Sequence, residues 1–205
     1  MIEERVPQGR RQRAKEDKRR RIAAAARELF AERGIGGVTT QQIADRADVA
    51  IGTLFLYAAT KAELLIMVQN QKFGDAITKG ISQALDAATA RADTLERVMA
   101  LVRSVVECIR EQPENGRAYL HELVFGDPAE PHRREGLSLA FALEAAIAET
   151  LAIDPRLPRS DATLLARVVS AIIHVATTAT ISLADDLATT LAGIRDQVAV
   201  ILPRG

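Results

Sequence analysis

Thr39-Thr40-Gln41-Gln42-Ile43-Ala44-Asp45-Arg46-Ala47-Asp48-Val49-Ala50-Ile51-Gly52-Thr53-Leu54-Phe55-Leu56-Tyr57 is the stretch whose reading decides the fold of this chain. Thr39 suits a helix N-cap, and Gln42 follows at capping-box spacing. Ile43, Ala44 and Ala47 then fall on one face at helical spacing. Ala44 is small enough to let a second helix cross closely. Asp48 stands where the chain must turn, and Asp tolerates a left-handed backbone better than most residues. Val49 and Leu54 can fill the angle between the two helices. Two short helices joined in this way form a helix-turn-helix pattern, whose second helix lies in the major groove of DNA. Any helical hairpin with a polar turn is the competing reading of these residues alone.

The flanks favour the first reading. Residues 17–33 place Ile22, Ala26, Leu29 and Phe30 on one stripe, as a core-facing first helix requires. Gly34 stops that helix as a C-cap. Downstream, Thr60 is a plausible N-cap for a fourth helix, with Glu63 completing a second capping box. Lys61 puts a cation beside backbone N–H groups at a helix N-terminus. It opposes the helix dipole, which an anionic partner such as phosphate would explain.

The run from Asp17 to Leu65 resembles the N-terminal domain of the TetR family of transcriptional regulators. The resemblance is carried by Thr39-Thr40 with Ile43-Ala44, by Val49 to Phe55, and by Tyr57, Thr60-Lys61 and Leu64. It implies that the second and third helices form the helix-turn-helix, and that the third reads bases. It also implies that the remainder is an all-helical ligand-binding and dimerisation domain. Four positions depart from the family pattern. Asp48 stands where Gly is usual, Ala50 where a capping Ser is frequent, Phe55 where Tyr is common and Ala58 where Phe is usual. The last two remove a phosphate-bonding hydroxyl and a hydrophobic plug between head and body.

A chain of 205 residues can bury a substantial core, and its formal net charge of zero argues against nucleic acid only until its distribution is read. Residues 1–61 hold thirteen Lys or Arg against eight Asp or Glu, and the remainder reverses the excess. The basic residues crowd the start, with Arg19 among them. A basic arm there can contact phosphates or enter a minor groove, or can serve as a solubilising tail. The single Cys108 excludes an intramolecular disulfide and a cysteine metal cluster; among Val105, Val106 and Ile109 it reads as a small core residue. The charged N-terminus has no signal-peptide core, and the apolar run 163–184 carries Arg167 and His174. That run reads as a buried helix rather than a membrane span, so a cytoplasmic protein is expected.

The rest of the chain reads as helices at about 61–78, 82–90, 93–111, 117–125, 134–151, 161–183 and 186–202, with Gly and Pro at the joints. Helix 161–183 is apolar on two faces, so both need cover. Family resemblance implies that the last two long helices pair across a two-fold axis. The interface candidates are Leu164, Val168, Ile172 and Val175 with Leu191, Ile194 and Val198; a wholly intramolecular core is the alternative. The three histidines lack metal-ligand spacing, and no nucleophile elbow or phosphate-binding glycine loop is present, so neither metal nor cofactor nor catalytic group is expected. Arg103, Glu107, Tyr119, Phe141, His174 and Thr177 are candidates for a ligand pocket, although a histidine such as His174 on an apolar helix is more often a satisfied core residue and Thr177 can bond a backbone carbonyl one turn earlier; Thr180 and Glu144 share the same ambiguity.

The expected fold is all-α: a basic arm over residues 1–16, a three-helix DNA-binding head over 17–60 and a larger helical ligand-binding and dimerisation domain over 61–205. The expected DNA contacts are Thr40, Gln41, Ile51, Gly52, Thr53, Leu56 and Tyr57 from the helix-turn-helix, with Lys61 and Arg19 on phosphate. The partners expected are a palindromic operator in double-stranded DNA, a second copy of the chain and a small-molecule effector, with no membrane. Such a protein is a homodimeric repressor. A transcriptional activator, or a helical carrier or enzyme with a vestigial head, is the alternative.

Overall fold

A computed structural model describes residues 9–179 and 184–203, and among these the regular structure is entirely helical. Three helices form the head: α1 (Arg10–Arg33), α2 (Thr40–Arg46) and α3 (Ile51–Phe55). The body holds α4 (Lys61–Thr89), α5 (Thr94–Arg110), α6 (Pro113–Phe125), α7 (Pro131–Leu151), α8 (Arg159–Thr178) and α9 (Leu187–Ile201). Ile22, Ala26, Leu29 and Phe30 of α1 meet Ile43, Ala44 and Leu54, all buried, so the stripe read from the sequence is the head's core. α4 packs against α1 as well as against α5, α6 and α7, and therefore runs through both parts.

Several boundaries differ from the sequence reading: α7 and α8 begin at Pro131 and Arg159 rather than near 134 and 161, and three further differences have a physical cause. α1 begins at Arg10, seven residues before the expected start, so half of the expected arm is helix. Its opening turns are rich in strong helix formers, and side-chain pairs one turn apart support them: Gln12 with Glu16, and Asp17 with Arg20 and Arg21. The first eight residues of the arm, and Thr180, lie outside the described residues. α6 begins at Pro113 rather than near Arg117, because proline at a first helical position is pre-set for the turn. The third difference is Gly80, taken as a breaker but lying inside a continuous α4. A Cβ at this position would fall 2.8 Å from the Leu101 carbonyl oxygen of α5. Gly80 thus lets the two longest-paired helices touch backbone to backbone.

The link from α7 to α8 is fixed by Asp154. Its buried carboxylate accepts the Thr94 hydroxyl at 2.8 Å, the Arg156 backbone N–H at 3.0 Å and the Arg156 guanidinium at 2.8 and 3.0 Å. The Arg156 hydrogen bonds, joined by that of Thr94, hold the carboxyl well below the usual aspartate range against the opposing effect of burial. This ties the foot of α5 to the far end of α7.

Two stability outcomes follow from these contacts. Gly80→Ala gains helix propensity of about 1 kcal/mol but forces α4 from α5, for a net loss of about 1–2 kcal/mol in urea unfolding. For Asp154, the lowered folded pKa means that its stabilisation is present above the unfolded value of about 3.9 and is lost as pH falls toward the folded one. Asp154→Asn is therefore less stable at neutral pH, and its melting temperature falls less steeply than wild type below about pH 4.

Candidate functional site

The local chemistry of the turn is as the sequence suggests. Thr39 Oγ1 accepts the Gln42 N–H at 3.2 Å, and Gln42 Oε1 accepts the Thr39 N–H at 2.9 Å, closing the capping box. Asp48 takes φ 51°, the left-handed conformation. What the sequence did not reveal is Arg21 of α1. Its guanidinium donates to the Ala47 carbonyl, the Asp48 carbonyl and Asp48 Oδ2 at 3.0–3.2 Å. The family-unusual aspartate thus provides a charged partner that glycine could not, offsetting the backbone strain of its positive φ.

On this frame Gln41, Gly52, Phe55 and Leu56 are exposed, with Leu56 at 84 %. A Cβ on Gly52 would meet nothing within 4 Å, so the α3 backbone is open to an approaching surface. Thr40 and Thr53 are half-buried, and Ile51 packs against the head's core rather than facing out. Ala50 caps α3 without a side-chain hydrogen bond.

Of the other expected contacts, Tyr57 and Lys61 make hydrogen bonds within the chain. The Tyr57 hydroxyl donates to the Lys15 carbonyl at 3.0 Å and so ties the start of α1 to the end of α3. Lys61 Nζ donates to the Ile35 and Val38 carbonyls at 2.8 and 3.0 Å, using two of its three donors on the α1–α2 loop. The positive charge at the start of α4 is thereby answered from within the chain. Arg19 lines a cleft of about 710 Å³ between α1 and α4. At about 100° per helical residue it lies on the other side of α1 from Arg21, which faces the turn.

The head meets the body at two joints. In the first, Glu63 is 2 % exposed; its carboxylate accepts the Ala59 N–H at 3.3 Å and the His132 N–H, at the start of α7, at 3.2 Å. The second capping box is therefore half-formed: Thr60 accepts the Glu63 N–H, while the Glu63 carboxylate turns to α7. The His132 ring stands 3.1 Å from the Tyr57 carbonyl and 3.5 Å from Glu135. Asn70 of α4 donates to the His132 carbonyl at 2.9 Å and accepts the Tyr119 hydroxyl at 3.0 Å. Burial raises Tyr119 far above the usual phenol range, so it remains a donor. Burial, and then the neighbouring Glu63, also raise Glu130, whose carboxylate accepts the Thr60 hydroxyl. Where the missing phenylalanine at Ala58 led us to expect a lost plug, a polar network holds the joint.

The second joint is the start of α6. Asn115 accepts the Ile35 N–H and donates to the Phe30 carbonyl, both at 2.8 Å. Glu114 accepts the Gly36 N–H at 2.8 Å, and Gln112 donates to the Ala31 carbonyl. Gly34, at φ 66°, leaves the room these side chains occupy.

The body holds a mostly apolar, half-open chamber of about 210 Å³ between α4, α5, α6, α7 and α8. Phe141 and His174, both expected, line it, together with Glu144, Phe73 and Ser170. The other candidates do not. Tyr119 packs edge-on against Phe73 with its hydroxyl on Asn70, and the Thr177 hydroxyl donates to the Ile173 carbonyl. Arg103 is exposed, and Glu107 lies near Lys79 in the outer groove between α4 and α5. Cys108 is half-buried, and burial pushes its thiol up to about 11. Among the described residues no three His, Cys, Asp or Glu come together as a metal site.

The expected interface residues divide. Leu164, Val168 and Val175 of α8 are exposed, while Ile172 packs partly against the core. Leu191, Ile194 and Val198 are buried against the protomer's own helices, because this stripe of α9 is what closes over α5 and α8. The outward apolar residues of α9 are instead Leu187 and Val200, near its two ends. α8 is long and apolar enough to cross a membrane by length and composition, but its face of Ala162, Ala166, Val169 and Ile173 is buried in the body.

Comparison with known proteins agrees with this architecture. A family model described as bacterial regulatory proteins, tetR family, matches residues 22–68. The repressor KstR of Mycobacterium tuberculosis is 29 % identical over 114 residues, 56 % of this chain and 50 % of KstR. The activator FasR of Mycolicibacterium smegmatis is 30 % identical over 103 residues, 50 % of this chain and 45 % of FasR. The chain thus aligns with about half the length of these curated relatives. In fold, it is similar to Thermus thermophilus FadR, a repressor solved with lauroyl-CoA, with a TM-score of 0.69 at 23 % identity over 91 % of this chain and 96 % of that one. Residues 22–68, which hold the helix-turn-helix head, are thus similar to the tetR family of bacterial regulatory proteins, and the fold as a whole is similar to that of FadR.

Proposed function

We propose that this protein is a cytoplasmic, homodimeric transcriptional repressor that binds a palindromic operator in double-stranded DNA and is released by a small-molecule effector. The observation that carries the reading is the outer surface of α3. Gly52, Phe55 and Leu56 are exposed on a short helix whose other side, through Leu54, is locked into the head. A helix held this way can enter a major groove. Leu56 suits a thymine methyl, and Thr53 and Gln41 offer polar groups to bases or phosphates. Thr40 sits at the start of α2, where a hydroxyl can set register on the backbone. The similarity to KstR supports repression; the similarity to FasR favours activation as a second reading. A promoter-reporter assay with and without the protein separates them.

Two copies would meet through the outward face of α8, where Leu164, Val168 and Val175 have no cover. A symmetric protein matches symmetric half-sites. Release requires that the effector bind one arrangement of the heads better than the other. The two joints supply a route, since α4, α6 and α7 each carry residues that hold the head and residues around the chamber.

The reading is tested by gel-shift with DNA flanking the protein's own gene: a salt-sensitive complex is expected, and none with any such fragment overturns it. Val168→Glu should give a monomer in sedimentation and lose at least tenfold in operator affinity; a dimer with normal binding removes α8 from the interface. Lys61→Ala should lower the melting temperature by several degrees and weaken binding to all sequences alike. An unchanged melting temperature with a salt slope flatter by about one unit would return Lys61 to direct phosphate contact.

A further inference from the structure

The turn between α2 and α3 is closed from another helix. α2 ends in a Schellman turn: the Val49 N–H donates to the Ala44 carbonyl at 3.0 Å and the Asp48 N–H to the Asp45 carbonyl at 3.1 Å, with Asp48 left-handed. These bonds do not use the Ala47 and Asp48 carbonyls. Arg21 of α1 takes both, through Nη1 at 3.0 and 3.1 Å, and the same nitrogen reaches Asp48 Oδ2 at 3.2 Å.

α3 cannot fix its own direction. It spans only Ile51–Phe55, too short to persist on its own hydrogen bonds. Ala50 at its N-cap has no side-chain oxygen to offer. Leu54 anchors its middle in the core. Just past its C-terminal end, Tyr57 is held through its hydroxyl by the Lys15 carbonyl and through its own carbonyl by the His132 ring. At the other end the hold comes from the Arg21 guanidinium, and that is the end a recognition helix presents to base edges. The charge of Arg21 is answered inside the head, by Asp48 at 3.2 Å and Asp17 at 3.5 Å. Ion pairs this exposed contribute little by themselves. The charge-assisted bonds to two backbone carbonyls are what fix the geometry.

Building on the DNA-binding reading above, we propose that Arg21 is a positioning residue for DNA reading: without touching DNA, it holds the Ala47 and Asp48 carbonyls and so sets the angle at which α3 meets the groove. Asp48 is the second half of the device. Its carboxylate keeps the guanidinium over the two carbonyls, while its positive φ carries a strain that glycine does not have. Stability and aim therefore separate on substitution. Removing the guanidinium frees the turn. Replacing Asp48 by glycine as well relieves the strain without restoring the hold.

The probes are a DNA fragment from beside the protein's own gene that wild type shifts, and a random duplex of the same length. Affinities are measured across a salt series, well below each melting temperature. Arg21→Ala should lose about tenfold or more on the fragment, bind the random duplex as wild type does and keep the wild-type salt slope. Adding Asp48→Gly to Arg21→Ala should raise the melting temperature above that of the single variant and leave the fragment-to-random ratio low. Equal loss on both duplexes, with a slope flatter by about one unit, makes Arg21 a phosphate contact and overturns the proposal. A ratio that recovers together with the melting temperature makes it a structural residue only, and overturns it as well, as does an unchanged ratio in Arg21→Ala. A further arm uses the full chain without DNA. The Thr53 and Leu54 amides, which close the first turn of α3 on the Ala50 carbonyl, should exchange hydrogen about tenfold faster in Arg21→Ala, with the buried α1 stripe unchanged. Exchange at the wild-type rate removes the hold. A failed gel-shift leaves this arm standing, and wild-type exchange leaves operator binding untouched, so the two readings fail separately.

Discussion

A carboxylate removed from water must be met by fixed donors, and Glu63 imposes that requirement on the boundary between head and body. Its two oxygens are met by the Ala59 N–H from the loop before α4 and the His132 N–H from the start of α7. Satisfying the one fixes where α3 ends; satisfying the other fixes where α7 begins. The His132 ring then reaches the Tyr57 carbonyl, and the Tyr57 hydroxyl reaches Lys15, so the constraint extends to the first turns of α1. The orientation of α3 thus depends on body helices that never touch its exposed surface.

The body is built to carry such a constraint. α4 runs unbroken for 29 residues, about 44 Å, with Glu63 near one end and Gly80 pressed on α5 further along. α6 grips the α1–α2 loop with its first residues and lines the chamber further along. Packed helices with small residues at their crossings resist continuous deformation and shift as units. A small movement of α6 therefore acts directly on the loop between α1 and α2.

What the sequence made legible was local. The capping box of Thr39 and Gln42, the left-handed Asp48 and the α1 stripe all involve residues within one or two turns of each other, where spacing is informative. What it hid was long-range. Lys61 looked like an unpaired cation because its acceptors, the Ile35 and Val38 carbonyls, belong to a loop more than 20 residues earlier. Gly80 looked like a break because its partner backbone lies on another helix. The apolar stripe of α9 was real, but periodicity cannot say whether such a stripe faces its own protomer or another. Of the chamber residues, Phe141 and His174 stood out as unusual types on their helices, whereas Ser170 became notable only once its neighbours were in place.

The grip of Gln112, Glu114 and Asn115 on the α1–α2 loop bears on how such proteins can diversify. A head transplanted onto a foreign body would leave the Phe30 carbonyl and the Ile35 N–H without their asparagine, and Glu63 without the α7 amide. Head and body therefore do not recombine as interchangeable cassettes. Substitution on the open face of α3, where Gly52, Phe55 and Leu56 are exposed, disturbs the rest of the chain less than exchange of the whole domain.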